Sequence, residues 1–146
     1  MVLGGLIVDF GGVLTDPGDS GGDDRPLLTA VALARKHGLR TGLLSNADGL
    51  GDTGFGGDDG PGGADLGKLF DDVLLSGDVG FGKPDARIYL LAAERLGLVP
   101  EECVFVDDLA HNVLGAVRVG MVGVHHQDMA TTLTELTALF GVPFQE

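Results

Sequence analysis

Leu6-Ile7-Val8 runs into Asp9, and Val104-Phe105-Val106 runs into Asp107-Asp108. Both are apolar, β-branched runs that stop on carboxylate, the pattern of a strand buried on both faces that surfaces at its C-terminal end. If the two strands lie parallel in one sheet, three carboxylates from distant parts of the chain meet at one edge. That edge is where open α/β sheets bind ligands. Like charges gathered there repel, and a proton or a cation must resolve them. An all-oxygen donor set suits a hard divalent cation such as Mg2+. Three further polar segments fall at the ends of strands or the starts of helices: Ser45-Asn46, Lys83-Pro84 and Asn112. Taken singly each has an ordinary explanation, as a turn, a solvated lysine or a helix cap. Their convergence on one sheet edge is what points to a site.

The elements that must position these residues alternate in type. Residues 3–9 read as a first strand, followed by the Gly11-Gly12 turn and a polar, Gly-rich loop at 16–24. Pro26 opens a helix to about His37, with Leu27, Leu28, Val31 and Ala34 on one face and Gly38 as its C-cap. A strand follows at Thr41–Leu44, then a second Gly/Asp-rich loop at 49–63, a short helix around Leu66–Phe70 and a strand at Val73–Leu75. Pro84 is expected to start a helix that carries Ile88, Leu91, Ala92 and Leu96 inward and ends at Gly97. Strand 103–106, a helix over about Asn112–Val119, strand Met121–Val124 and a helix over about Met129–Phe140 complete the pattern. Strands that alternate with helices predict a parallel sheet covered on both faces, an α/β three-layer sandwich. Residues 1–146 are read as one domain.

Composition narrows the function classes. The formal net charge is −13, with 22 acidic residues against nine basic ones. Nucleic acid and anionic membrane are therefore not expected partners, since either needs a basic face. An anionic substrate would depend on local positive charge, from a metal ion, a lysine or a helix N-terminus. Glycine supplies 26 of the 146 residues, far above a background of about 7%, and concentrates in the two loops. No apolar run approaches the roughly 20 residues that span a bilayer. The N-terminus lacks a basic signal-peptide region, so a cytoplasmic location is expected. The single cysteine, Cys103, precedes a buried strand and reads as a small core residue. His125-His126 leave their strand on opposite sides and make a poor metal pair.

Four segments, in order and separation, resemble the haloacid dehalogenase-like hydrolase superfamily over nearly the whole chain. DFGGVLT resembles its first motif, LLSN its second, GFGKPDARIY its third and VFVDDLAHNVLGAVRVGM its fourth. The Lys-Pro-Asp run and the paired Asp with the following Asn are the most specific parts. The resemblance is to its IA-like branch. It implies a Rossmann-like, mostly parallel sheet with the first and fourth motifs on adjacent strands. It also implies a phosphatase in which Asp9 attacks phosphorus and forms an aspartyl-phosphate. Mg2+ would be held by Asp9, the backbone carbonyl of Gly11 and Asp108, with Asp107 beside it. Lys83 would add positive charge at the transferring group. The Ser45 hydroxyl and the amides near Asn46 would bind phosphoryl oxygens, and Asn112 would orient the Asp107-Asp108 loop. The substrate would be a phosphorylated small molecule or a larger phosphorylated molecule.

Two departures stand out. Phosphatases of this superfamily carry a second Asp two residues after the nucleophile, as general acid/base; here the position is Gly11. Such groups contribute about 10²–10⁴ in rate, so reduced or selective turnover is expected. A non-catalytic phosphate- or metal-binding or assembly module on the same fold is an alternative. A 2-haloacid dehalogenase is another, although its fourth motif does not usually keep two adjacent Asp residues. The second departure is length: 35 residues separate Asp9 from Ser45 and 37 separate Ser45 from Lys83. Neither gap holds a sizeable cap domain, so the site is expected to be open. A large substrate, a flap from the Gly-rich loops or a neighbouring subunit of a homo-oligomer would then cover it.

Overall fold

The computed structural model describes residues 3–9, 26–46 and 69–142. Gly11, Asp16, the loops at 16–24 and 49–63 and the start of the helix expected near Leu66 lie outside the described residues. Among the described residues, five strands form one sheet: β1 (Gly5–Val8), β2 (Arg40–Ser45), β3 (Asp72–Leu75), β4 (Cys103–Asp107) and β5 (Val122–His125). The order across the sheet is β3-β2-β1-β4-β5, and every neighbouring pair is parallel. The α-helices among the described residues are α1 (Pro26–Lys36), α2 (Ser76–Val79), α3 (Ala86–Arg95), α4 (Ala110–Arg118) and α5 (Met129–Phe140). This is the α/β sandwich that the alternation of strands and helices predicts, with the Rossmann-like sheet that the resemblance implies.

Strands this short are held by what they bury rather than by β-propensity. Side chains alternate across β1 and β4, and the core divides accordingly. Leu6, Val8, Val104 and Val106 pack on one face against Leu27 and Val31 of α1 and Leu133 and Leu136 of α5. Ile7 and Phe105 pack on the other face against Ile88 and Tyr89 of α3 and Ala116 of α4. Each Val, Leu, Ile or Phe among them, when fully buried, contributes roughly 1.5–3 kcal/mol. No helix among the described residues is long and apolar enough to cross a membrane.

Local chemistry explains where three elements differ from the sequence-based expectation. The helix expected to begin at Pro84 begins at Ala86, because Asp85 is its cap: extended at φ −63° and ψ 130°, its carboxylate accepts from the Arg87 N–H. The Arg87 guanidinium beside it holds that carboxyl down at about 2. Pro84 instead follows a cis peptide bond from Lys83. The helix expected from Asn112 begins at Ala110, so Asn112 lies inside α4 instead of capping it. Ser76–Val79 is a single helical turn that the sequence pattern did not reveal. Gly115 lets α4 approach the start of α3: a Cβ there would lie 2.9 Å from both the Pro84 carbonyl oxygen and the Tyr89 ring.

Cys103 is buried in the core, as expected of a small apolar residue. Its thiol donates weakly to the Val99 carbonyl at 3.6 Å. Burial pushes it up to about 12, with Glu102 and Glu101 adding to the effect. The folded chain should therefore resist a thiol-exchange reagent at mildly alkaline pH and take up one equivalent once denatured. Rapid labelling of the native chain would contradict this placement.

Candidate active site

Register brings the first two carboxylates together. Val8 pairs with Val106, and the Asp9 N–H continues the ladder by donating to the Val106 carbonyl at 3.0 Å. By the two-residue alternation, Asp9 falls on the side of Ile7 and Asp107 on the side of Phe105, so both face the layer formed by α3 and α4. Lys83 comes from that layer. Its ammonium donates to Asp9 Oδ1 at 2.7 Å, to Asp107 Oδ2 at 2.9 Å and to the Leu44 carbonyl at 3.1 Å. An ammonium has three donors, and all three have acceptors. The side chains of Lys83, Asp9 and Asp107 are only 2%, 12% and 0% exposed. The Phe105 ring lies 5.4 Å below the ammonium and keeps its underside dry.

Asp107 is the most constrained member. Besides Lys83, it accepts from the Leu109 N–H at 2.9 Å and from Asn112 Nδ2 at 3.2 Å. Asn112 is in turn fixed by Tyr89, whose hydroxyl donates to its carbonyl at 2.6 Å. Tyr89 packs edge-on against Phe105, with ring centroids 5.4 Å apart. Burial, then the charges of Asp107 and Asp9, push its phenol up out of the titratable range. Asn112 Oδ1 is buried and has no hydrogen-bond partner among the described residues.

Asp108 is more open. Burial raises its carboxyl above the usual range, and its hydrogen bond with Asp107 and that residue's charge add to the shift. The Asp108 carbonyl accepts from His125 Nε2 at 3.0 Å. His125 is exposed and His126 buried, the latter bonded to Thr132 Oγ1 at 2.6 Å, so the two rings part as the sequence implies. The contact to Asp108 was not foreseen. It follows from the pairing of Asp107 with His125, which ends β5 at the same edge.

Ser45 closes β2, and Asn46 follows it. The Ser45 side chain is buried. Asn46 is engaged with the Lys83 main chain. An open depression of about 440 Å³ adjoins it, lined by Asn46, Ser76, Gly77, Gly80, Phe81 and Gly82.

Asp9, Asp107 and Asp108 each offer a carboxylate oxygen, all within 4.8 Å of one another. Three carboxylates against one ammonium leave two negative charges in excess. Hard oxygen donors with that surplus fit a divalent cation of the Mg2+ type. Gly11, the fourth donor suggested by the sequence, lies outside the described residues.

Replacing Lys83 by Met would leave two buried carboxylates without their cation. Loss of one partner from such a pair costs about 3–5 kcal/mol. A fall of that size in urea-denaturation stability is the expected result, and an unchanged midpoint would contradict it.

Residues 24–120 match the family model of the haloacid dehalogenase-like hydrolases. A crystal structure of an uncharacterized protein from Corynebacterium glutamicum shares 37% identity and superposes with a TM-score of 0.77, covering 94% of this chain and 95% of that one. Bifunctional epoxide hydrolase 2 of Rattus norvegicus is 33% identical over 123 residues, 84% of this chain and 22% of its own length. Glyceraldehyde 3-phosphate phosphatase of Methanopyrus kandleri is 44% identical over 67 residues, 42% of this chain and 29% of its own. The matched stretch thus spans less than a third of either curated relative. With the family model covering most of the sequence, the chain belongs to the haloacid dehalogenase-like hydrolases.

Proposed function

We propose that this chain is a Mg2+-dependent phosphohydrolase of reduced or selective turnover that works through an aspartyl-phosphate on Asp9. The observation that carries the proposal is the setting of Asp9, at the ligand-binding edge of the sheet. It is held by the Lys83 ammonium at 2.7 Å and has two more carboxylates within 4.8 Å.

A carboxylate oxygen of Asp9 attacks phosphorus as the bond to the leaving oxygen breaks, and that oxygen departs with the electron pair. Water then attacks the phosphoryl group of the aspartyl-phosphate, which frees phosphate and restores Asp9. Lys83 orients the nucleophile and offsets negative charge that builds on the transferring group. The Ser45 hydroxyl and the main-chain amides near Asn46 bind phosphoryl oxygens. Asp107, locked by Lys83, Leu109 and Asn112, keeps Lys83 and Asp108 in place. What Mg2+ would supply, held by Asp9, Asp108 and the Gly11 carbonyl beside Asp107, is relief of repulsion between the nucleophile and the phosphoryl oxygens.

Gly11 has no side chain with which to protonate a leaving group. Loss of that function costs about 10²–10⁴ in rate. Acyl and aryl phosphates need it least, because their leaving groups depart as stable anions. The glyceraldehyde 3-phosphate phosphatase named above supports phosphate ester chemistry on related sequence. The surplus negative charge at the edge also favours a metal-assisted reaction over a metal-free attack on carbon.

Acetyl phosphate should be hydrolysed in Mg2+ and spared in EDTA, and Asp9→Asn should abolish turnover. Gly11→Asp should raise turnover of an aryl phosphate about tenfold or more. Inactivity of both the natural chain and Gly11→Asp in Mg2+ would sink the proposal.

A further inference from the structure

Asn46 makes two hydrogen bonds to one residue. Its Nδ2 donates to the Lys83 carbonyl at 3.0 Å, and its Oδ1 accepts from the Lys83 N–H at 2.8 Å. Lys83 is buried but lies outside the sheet, so no strand pairs with its peptide groups. A buried peptide group left unpaired loses its hydration with nothing in return. A carboxamide is a peptide group in miniature, with a donor and an acceptor in one plane. Here it does for Lys83 what a neighbouring strand would do. Asp offers no donor, Ser is too short to reach both groups, and Gln carries an extra methylene.

Gly82 makes room for this pairing. A Cβ at residue 82 would fall 2.7 Å from Asn46 Oδ1 and 3.0 Å from Ser76 Cβ. Contacts that close do not persist, and the end of the Asn46 side chain is the freer of the two to move. Moving it breaks the bonds to Lys83. At its far end the Lys83 ammonium donates to the carbonyl of Leu44, two residues before Asn46. The C-terminal end of β2 therefore grips Lys83 twice, by its backbone and by its ammonium.

We infer that Asn46 is a positioning residue that acts on the reaction through Lys83, with Gly82 as the gap that admits its side chain. The inference rests on the phosphohydrolase reading given above, in which Lys83 serves Asp9. The Asn46 side chain sets where the backbone of residue 83 lies, and so whether the ammonium reaches Asp9.

The test is steady-state hydrolysis of acetyl phosphate in Mg2+ by Asn46→Ala, Gly82→Ala and the double variant. Displacing a reacting group by about 1 Å can cost on the order of 100-fold. Each single variant should lose about 10- to 100-fold in kcat, with KM changed less than about threefold. The double variant should be no worse than Asn46→Ala, because a Cβ at residue 82 then has no carboxamide left to displace. A raised KM with kcat intact would make Asn46 a substrate contact and overturn the inference. Unchanged kinetics would overturn it too, as would losses that multiply in the double variant. If Asn46→Ala does not fold, Gly82→Ala decides alone by the same comparison of kcat with KM. An inert natural chain would remove the phosphohydrolase reading, and the inference with it. An active natural chain whose variants keep their kcat would remove the inference alone.

Discussion

The buried ammonium of Lys83 is the interaction on which the rest of this edge depends. It sits between Asp9 and Asp107, at the ends of adjacent strands, and supplies the positive charge that lets two buried carboxylates stay close. Burying charge is costly, and a buried pair returns that cost only when every donor and acceptor is used. Here the third ammonium hydrogen goes to Leu44, and the remaining demands of Asp107 are met by Leu109 and Asn112. The network therefore ties β1, β2, β4 and α4 to one nitrogen atom. It fixes geometry more than it adds stability.

Lys83 can hold this place because the chain around it is shaped for the purpose. Asn46 pins its backbone, and Gly82 leaves the space. Asp85 starts α3 just beyond it. Tyr89 braces Asn112 from α3, and Gly115 lets α4 lie against Pro84. The core on that face of the sheet is thus also the support of the site. The opposite face, built from Leu6, Val8, Val104 and Val106 against α1 and α5, anchors the same two strands from behind. Rigid strands with carboxylates at their tips give a donor set that does not need to be gathered when a ligand arrives.

One ammonium does not balance three carboxylates. The imbalance falls on Asp108, the most open of the three, whose carboxyl is raised above its usual range by burial and by Asp107. Under the proposed function a divalent cation at this edge would offset that surplus, in a chain whose net charge of −13 would repel an anionic substrate at long range.

Much of this was legible in the sequence. The carboxylate-ended strands and the parallel order follow from apolar runs and alternation, because periodicity and chain direction are local properties, whereas the place of Lys83 beside Asp9 was implied by the family resemblance. The start of α3 was misread because Pro84 is a common first residue of helices, whereas here the cap bond of Asp85 decides the boundary. Asn112, a cap candidate when taken alone and by the resemblance the residue that orients the Asp107-Asp108 loop, lies inside α4 and donates to Asp107, whereas His125 meets Asp108 only because β5 pairs with β4. The sequence by itself determined which side chains could do chemistry and which end of the sheet would carry them. Tertiary structure alone decided how they are shared: that Lys83 spans two aspartates, and that Asn46 serves its backbone. Hydrogen-bond partners across 24, 37 and 74 residues depend on angstrom-scale approach between elements, which no local pattern encodes.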